Sequence, residues 1–228
     1  MRILALETSG RFGSIALLDN MTVVLDSSLD PPFRTAQSLA PGIRQCLREA
    51  GWEGLSIDAV AVTQGPGSFT GLRLGVTTAK TLAYVWESRL IGINTLATIA
   101  AQSPANIPLV APAIDAFRQQ TFTAAYCRDE QGQWQEKIAT CVVDDAEWFD
   151  WLPSGAAVTG AGLHKFPAGA MRDVAIINSE CWQPRAATVG QLAANKLRAG
   201  HSDDLWNFVP NYFRQSAAEE KQSQAGKP

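Results

Sequence analysis

The chain has 228 residues, 46% of them hydrophobic and 18% charged, the composition of a folded globular protein rather than of a disordered or fibrous chain. Nineteen Lys+Arg against 22 Asp+Glu leave a formal charge of −3, which excludes a global positive field for a nucleic-acid backbone. Contact with RNA is therefore expected only locally or through a partner.

No apolar run approaches the roughly 18 residues of a membrane span. Ile3-Leu4-Ala5-Leu6 is too short for a secretory h-region, so a soluble, cytoplasmic chain is expected. Cys46, Cys127, Cys141 and Cys181 contain no C-x-x-C pair, and His164 and His201 are too far apart for an H-E-x-x-H site. The thiols read as buried or incidental, and no metal site is expected.

Ile3–Leu6 and Ser14–Leu18 are short apolar runs around Gly10 and Gly13, a hairpin pattern, and Thr22–Leu25 reads as a third strand. From Thr35 to Ala50 the period changes to i, i+3, i+4, i+7, an amphipathic helix stopped at Gly51, with Pro41 predicting a kink or a later start. Asp58–Thr63 is a buried-type strand leading through a glycine turn into a helix over Leu72–Glu87. Leu90–Asn94 and Thr95–Gln102 follow as strand and short helix, and Ser103–Pro108, with two prolines, marks a boundary. Beyond it, strands are predicted at 109–114, 119–126 and 137–143. A helix is expected at Asp144–Leu152, capped by Asp144 or Asp145, and a last helix at Val189–Ala199, closed by Gly200. The tail from Ser216 reads as frayed. No internal repeat is evident. The order predicts an α/β protein with two mixed-sheet lobes, residues 1–104 and 105–228.

The segment Gly65-Pro66-Gly67-Ser68-Phe69-Thr70-Gly71-Leu72-Arg73-Leu74-Gly75 is the most informative. A glycine turn from strand to helix exposes amides at the positive end of a helix dipole, so Gly65, Gly67, Ser68, Gly71 and Arg73 form either a tight turn or an anion site. It is neither a Walker A loop, which needs a lysine after its last glycine, nor G-x-G-x-x-G, because three residues separate Gly67 from Gly71.

Together with Ile3–Ser9, Gly13–Leu17, Ser38–Ile43, Ile91–Leu96, Ala113–Ala116 and Val209-Pro210-Asn211-Tyr212-Phe213-Arg214, this segment resembles the TsaB family, subunits of the bacterial machinery that makes threonylcarbamoyladenosine in tRNA. The likeness is dense over residues 1–116, sparse over 117–205, and returns near the C-terminus. It implies an actin-like ATPase fold of two ribonuclease-H-like lobes. It implies also that catalysis belongs to a paralogous TsaD-type subunit, which carries the metal and the ATP site. The further partners so implied are a TsaE-type ATPase in a larger complex and a second copy of the chain. Nucleotide is expected only at the boundary with TsaD, tRNA only indirectly, and no cofactor or membrane. Two departures stand out: Glu7 where family members carry Asp, and Phe33-Arg34-Thr35 where many carry His. Gly160-Ala161-Gly162 falls where the fold's adenosine loop would lie. Trp148, Trp151 and Trp182 read as core or interface anchors.

On the helix from Leu72 to Glu87 the only charges, Arg73, Lys80 and Glu87, recur every seven residues on one stripe, leaving an uncharged arc of roughly 220°, wider than one sheet contact needs. A subunit interface is therefore expected on Leu74, Val76, Ala79 and Ala83, with Leu39, Ile43 and Leu47 from the earlier helix, serving self-association and TsaD alike. The competing function, an independent ATPase or peptidase, lacks a nucleophile–base constellation in the sequence.

Overall fold

Ile3, Leu4, Ala5 and Leu6 are all buried, which places their strand at the centre of a sheet covered on both faces. The computed structural model describes residues 1–29 and 35–214. Phe33, Arg34 and the tail from Ser216 lie outside them. Strands β1 (Arg2–Glu7), β2 (Ser14–Asp19), β3 (Thr22–Ser28), β4 (Ala59–Gly65) and β5 (Arg89–Asn94) form one sheet in the order β3-β2-β1-β4-β5. The first three pair antiparallel, while β4 and β5 run parallel to β1.

Side chains alternate between the two faces of this sheet. Leu4, Leu6, Val60 and Val62 pack under α1 (Thr35–Glu49) and α2 (Phe69–Val85). Ile3, Ala5, Ala59 and Ala61 pack against Ala186, Val189, Ala193 and Leu197 of α5 (Ala186–Arg198).

The second sheet contains β6 (Leu109–Asp115), β7 (Gln120–Arg128), β8 (Trp134–Asp144) and β9 (Ala157–Thr159) in the order β8-β7-β6-β9. Its pairing, antiparallel through β6, β7 and β8 and parallel between β6 and β9, repeats that of β3-β2-β1-β4. The molecule thus has an actin-like ATPase fold of two ribonuclease-H-like lobes. The repeat is one of topology, invisible in the residues.

The structure refines four expectations. The division at 104/105 assigns helices by chain order, but α3 (Thr95–Ala101) places Leu96 and Ala100 in the second lobe's core with Val110 and Tyr126, and α5 returns to the first sheet. Each helix goes where an apolar sheet face lacks cover. Helix α1 begins at Thr35 and continues through Pro41. Helix α2 starts three residues earlier than periodicity gives, because Ser68 caps it by accepting from the Gly71 amide. The helix expected at Asp144–Leu152 is only α4 (Trp148–Trp151), since Asp144 still belongs to β8 and Asp145 is drawn to Thr121 and Lys165. Trp148 is fully buried and stacked on Phe166, and the four cysteines are free thiols.

Residues 203–214 carry no periodic signal and form an irregular strap. Asp203 bridges to Leu90 at the edge of β5, and the Asn211 amide donates to the Gln64 carbonyl at 2.8 Å. The Gln64 side-chain amide donates in turn to Val209 O at 3.1 Å. Arg214 reaches the second lobe, donating to Ala116 O at 2.9 Å.

Candidate functional site

The glycine turn is pressed against the end of β1. The Ser68 amide donates to Ser9 O at 2.8 Å, and the Thr8 hydroxyl donates to Gly71 O at 2.8 Å. A Cβ on Gly67 would fall 2.6 Å from Ser9 O, one on Gly65 2.5 Å from Asn211 O, and one on Gly71 or Gly75 would collide with Thr8. Gly65 and Gly67 also have φ of 125° and 154°, a region closed to most side chains. Gly65, Gly67 and Gly71 are thus accounted for by close backbone approach, and Gly75 by the Thr8 side chain. Arg73 turns away from the turn: its guanidinium lies 3.9 Å over the Phe69 ring, and Nε donates to the Tyr212 hydroxyl at 2.9 Å.

Glu7 is fully buried at the end of β1 and curls back on its own turn. Its Oε1 accepts from the Ser9 amide at 2.7 Å, from the Ser9 hydroxyl, and from the Thr63 hydroxyl at 3.4 Å, while Oε2 is buried without a partner among the described residues. Loss of water outweighs these bonds and pushes the carboxyl from an ordinary 4.5 up to about 7. In the second lobe, Gly160-Ala161-Gly162 follows β9 as the glycine turn follows β4, and Cβ atoms there would press on the backbone of Ala113 and Ile114. Both lobes use glycine at this corner for the same steric reason.

The interface residues divide. Leu39, Ile43, Val76, Ala79 and Ala83 are buried in the chain's own core, and Leu47 and Leu74 are partly buried against it. These apolar stripes cover the first sheet, together with Phe208 of the strap. The far side of α2 is the exposed one, with Thr70, Thr77, Thr81, Tyr84 and Val85 outward. Two members of the charged stripe are engaged by the strap. Lys80 Nζ donates to Trp206 O at 3.1 Å and to Phe208 O at 2.9 Å, so Arg73 and Lys80 pin the strap along α2.

Beside it, Trp206 meets Tyr84 edge-on with centroids 5.6 Å apart, and Tyr212 lies 4.8 Å from Phe69. Half of the large exposed hydrophobic side chains among the described residues, namely Phe69, Tyr84, Val85, Trp206, Val209 and Tyr212, lie on these two elements. Periodicity does not reveal the strap, although Val209–Arg214 carries part of the family resemblance. Neither histidine joins the site: His164 packs edge-on against Trp182, and the His201 amide closes α5 on Lys196 O.

No helix among the described residues is long and apolar enough to cross a membrane. The family model for TsaD, tRNA N6-adenosine threonylcarbamoyltransferase, matches residues 34–222. The TsaB protein of Escherichia coli K12, a tRNA threonylcarbamoyladenosine biosynthesis protein, is 31% identical over 97% of this chain and 98% of its own length. TsaB of Bacillus subtilis is 29% identical, with 97% of each chain covered. The solved structure of YeaZ from Pseudomonas aeruginosa superposes with a TM-score of 0.80 at 26% identity, covering 92% of this chain and all of that one. With about 30% identity to these relatives over nearly the whole length and a shared overall fold, the chain belongs to the TsaB family of tRNA threonylcarbamoyladenosine biosynthesis proteins.

Proposed function

We propose that this chain is a non-catalytic partner subunit in the formation of threonylcarbamoyladenosine in tRNA, and that it docks the TsaD-type catalytic subunit on the outer face of α2 and the strap. The observation that carries the reading is the apolar surface of Phe69, Tyr84, Val85, Trp206, Val209 and Tyr212, a concentration that marks a protein contact. Its cations, Arg73 and Lys80, meet no carboxylate among the described residues, so a partner with acidic groups beside an apolar helix face fits it. The same face serves a second copy of the chain when the partner is absent. A TsaE-type ATPase joins the larger complex, nucleotide sits at the boundary with TsaD, and tRNA is reached through the assembly, in keeping with the charge of −3. The polar groups of the glycine turn support a scaffolding role, because Ser68 caps α2 and Glu7 is engaged by Ser9 and Thr63.

Reconstitution with a TsaD-type subunit, a TsaE-type subunit, ATP, an activated threonylcarbamoyl donor and unmodified tRNA tests this reading. Omitting this chain is expected to reduce modification by more than tenfold, and the chain alone is expected to give none. Modification by the chain alone, or no association with the TsaD-type subunit in ultracentrifugation, overturns it.

A further inference from the structure

The turn between β6 and β7 is the most strained segment of the described chain. Phe117, Arg118 and Gln119 have φ of 58°, 52° and 59°, three consecutive non-glycine residues in the left-handed region that L side chains avoid. Such strain persists only where the surroundings over-determine it, and here they do. The Phe117 amide donates to Asp115 Oδ1 at 2.9 Å and the Gln120 amide to Phe117 O at 3.1 Å. The Ala116 amide donates to Gln120 O and the Asp145 amide to Gln119 O, both at 2.9 Å. Lys165 ties the base of the turn, 3.2 Å from Asp115, 2.6 Å from Asp145, and donating to Gln120 O at 2.6 Å.

The result of this bracing is a phenyl ring held out in water. Phe117 is 73% exposed and has no aromatic or cationic partner among the described residues. Removing a large ring from solvent is favourable, and a ring already fixed by its backbone loses little freedom on binding.

We infer that this turn is a rigid knuckle that inserts Phe117 into an apolar pocket of the TsaD-type subunit, an inference that rests on the function proposed above. Two observations choose a protein pocket as the occupant. First, the strap joins the knuckle to the α2 surface: Arg214 bonds Ala116 O, and Tyr212, two residues earlier, lies on Phe69 and Arg73. The same strap therefore carries exposed apolar side chains at one end and holds the base of the Phe117 turn at the other. Second, the surrounding charges balance, with Asp115, Asp144 and Asp145 against Arg118, Lys165 and Arg214, and Lys165 is committed to two carboxylates. The turn offers no net positive field to a phosphate backbone, so a nucleic acid is the weaker occupant.

Phe117→Ala and Phe117→Gly remove the ring, and the glycine also releases the strained backbone. Their melting temperatures and their affinity for the TsaD-type subunit are measured beside wild type and Tyr84→Asp, a change on the α2 face. Both Phe117 variants are expected to fold, with Phe117→Gly melting at or above Phe117→Ala. Both are expected to bind the partner at least tenfold more weakly, the scale of a buried aromatic anchor. If Tyr84→Asp weakens pairing and the Phe117 variants pair within twofold of wild type, the docking face stands and the knuckle inference is overturned. If wild type does not pair at all, the function proposed above fails and this inference fails with it. Loss of tRNA binding by the isolated variants, with pairing retained, overturns it in favour of a nucleic-acid contact.

Discussion

The Thr8 hydroxyl donates to the carbonyl of Gly71 at 2.8 Å, and the carbonyl of Thr8 lies where a Cβ on Gly71 would fall. The end of β1 and the first turn of α2 thus touch backbone to backbone, and neither side of the contact is a flexible side-chain tip. Gly71→Ala should therefore cost about 2 kcal/mol or more, while Gly169→Ala, where nothing lies within 4 Å of the added atom, should stay within about 0.5 kcal/mol of wild type. Urea unfolding of both variants checks this, and equal midpoints would refute the close-contact account.

Ser68 caps α2 by accepting from the Gly71 amide at 3.3 Å. Removing the hydroxyl in Ser68→Ala should cost about 1 kcal/mol of stability, the usual value of such a cap. Modification of tRNA in the reconstituted system should stay within a few-fold of wild type. A loss of about a thousandfold with folding intact is the scale of a lost catalytic group and would make Ser68 one.

Glu7 sets a pH dependence whose sign follows from its burial. Its carboxyl titrates at about 7 in the folded chain against 4.5 ordinarily, so between these values the folded state holds the extra proton. The contribution is full below about pH 4.5 and is lost as pH rises through 7, to a total on the order of 3 kcal/mol. Glu7→Gln cannot ionise. The stability of wild type relative to Glu7→Gln should therefore fall steadily between pH 5 and pH 8, and parallel curves for the two proteins would show that Glu7 titrates normally.

Tyr84 and Leu74 separate docking from folding. Tyr84 is exposed and Leu74 partly buried, so Tyr84→Asp should leave the melting temperature nearly unchanged while Leu74→Glu lowers it. Tyr84→Asp should weaken association with the TsaD-type subunit by tenfold or more, read by ultracentrifugation, whereas Leu74→Glu that stays folded should retain it. Arg at Ala79, which has no exposed surface, should instead abolish folding, because that stripe faces the sheet.

The strands and α1, α2, α3 and α5 were legible because their signals are local: β-branched alternation, a 3.6-residue period, and a glycine after the last turn. Gly200, with φ of 83°, closes α5 as its position predicts. What periodicity could not assign was destination. The apolar stripe of Leu72, Val76, Ala79 and Ala83 reads the same whether a sheet or a partner covers it, and burial shows that the sheet does. The strap was opaque for the opposite reason, since Asp203–Arg214 is held by backbone carbonyls meeting Lys80 and Gln64, bonds with no periodicity to betray them. The turn around residues 115–118 between two strands was legible, but its strain was not, because none of its three left-handed residues is glycine.

The crossing of α3 and α5 between lobes has a consequence for synthesis. When β5 ends at Asn94 the first sheet is complete in strands, yet one of its faces stays bare until Ala186–Arg198 emerges. Those roughly 90 residues take on the order of 5 to 20 seconds to translate, during which Ile3, Ala5, Ile91 and Ile93 have no native cover. The nascent amino-terminal half thus carries a bare apolar sheet face through that interval, and the carboxy-terminal helix is what closes it.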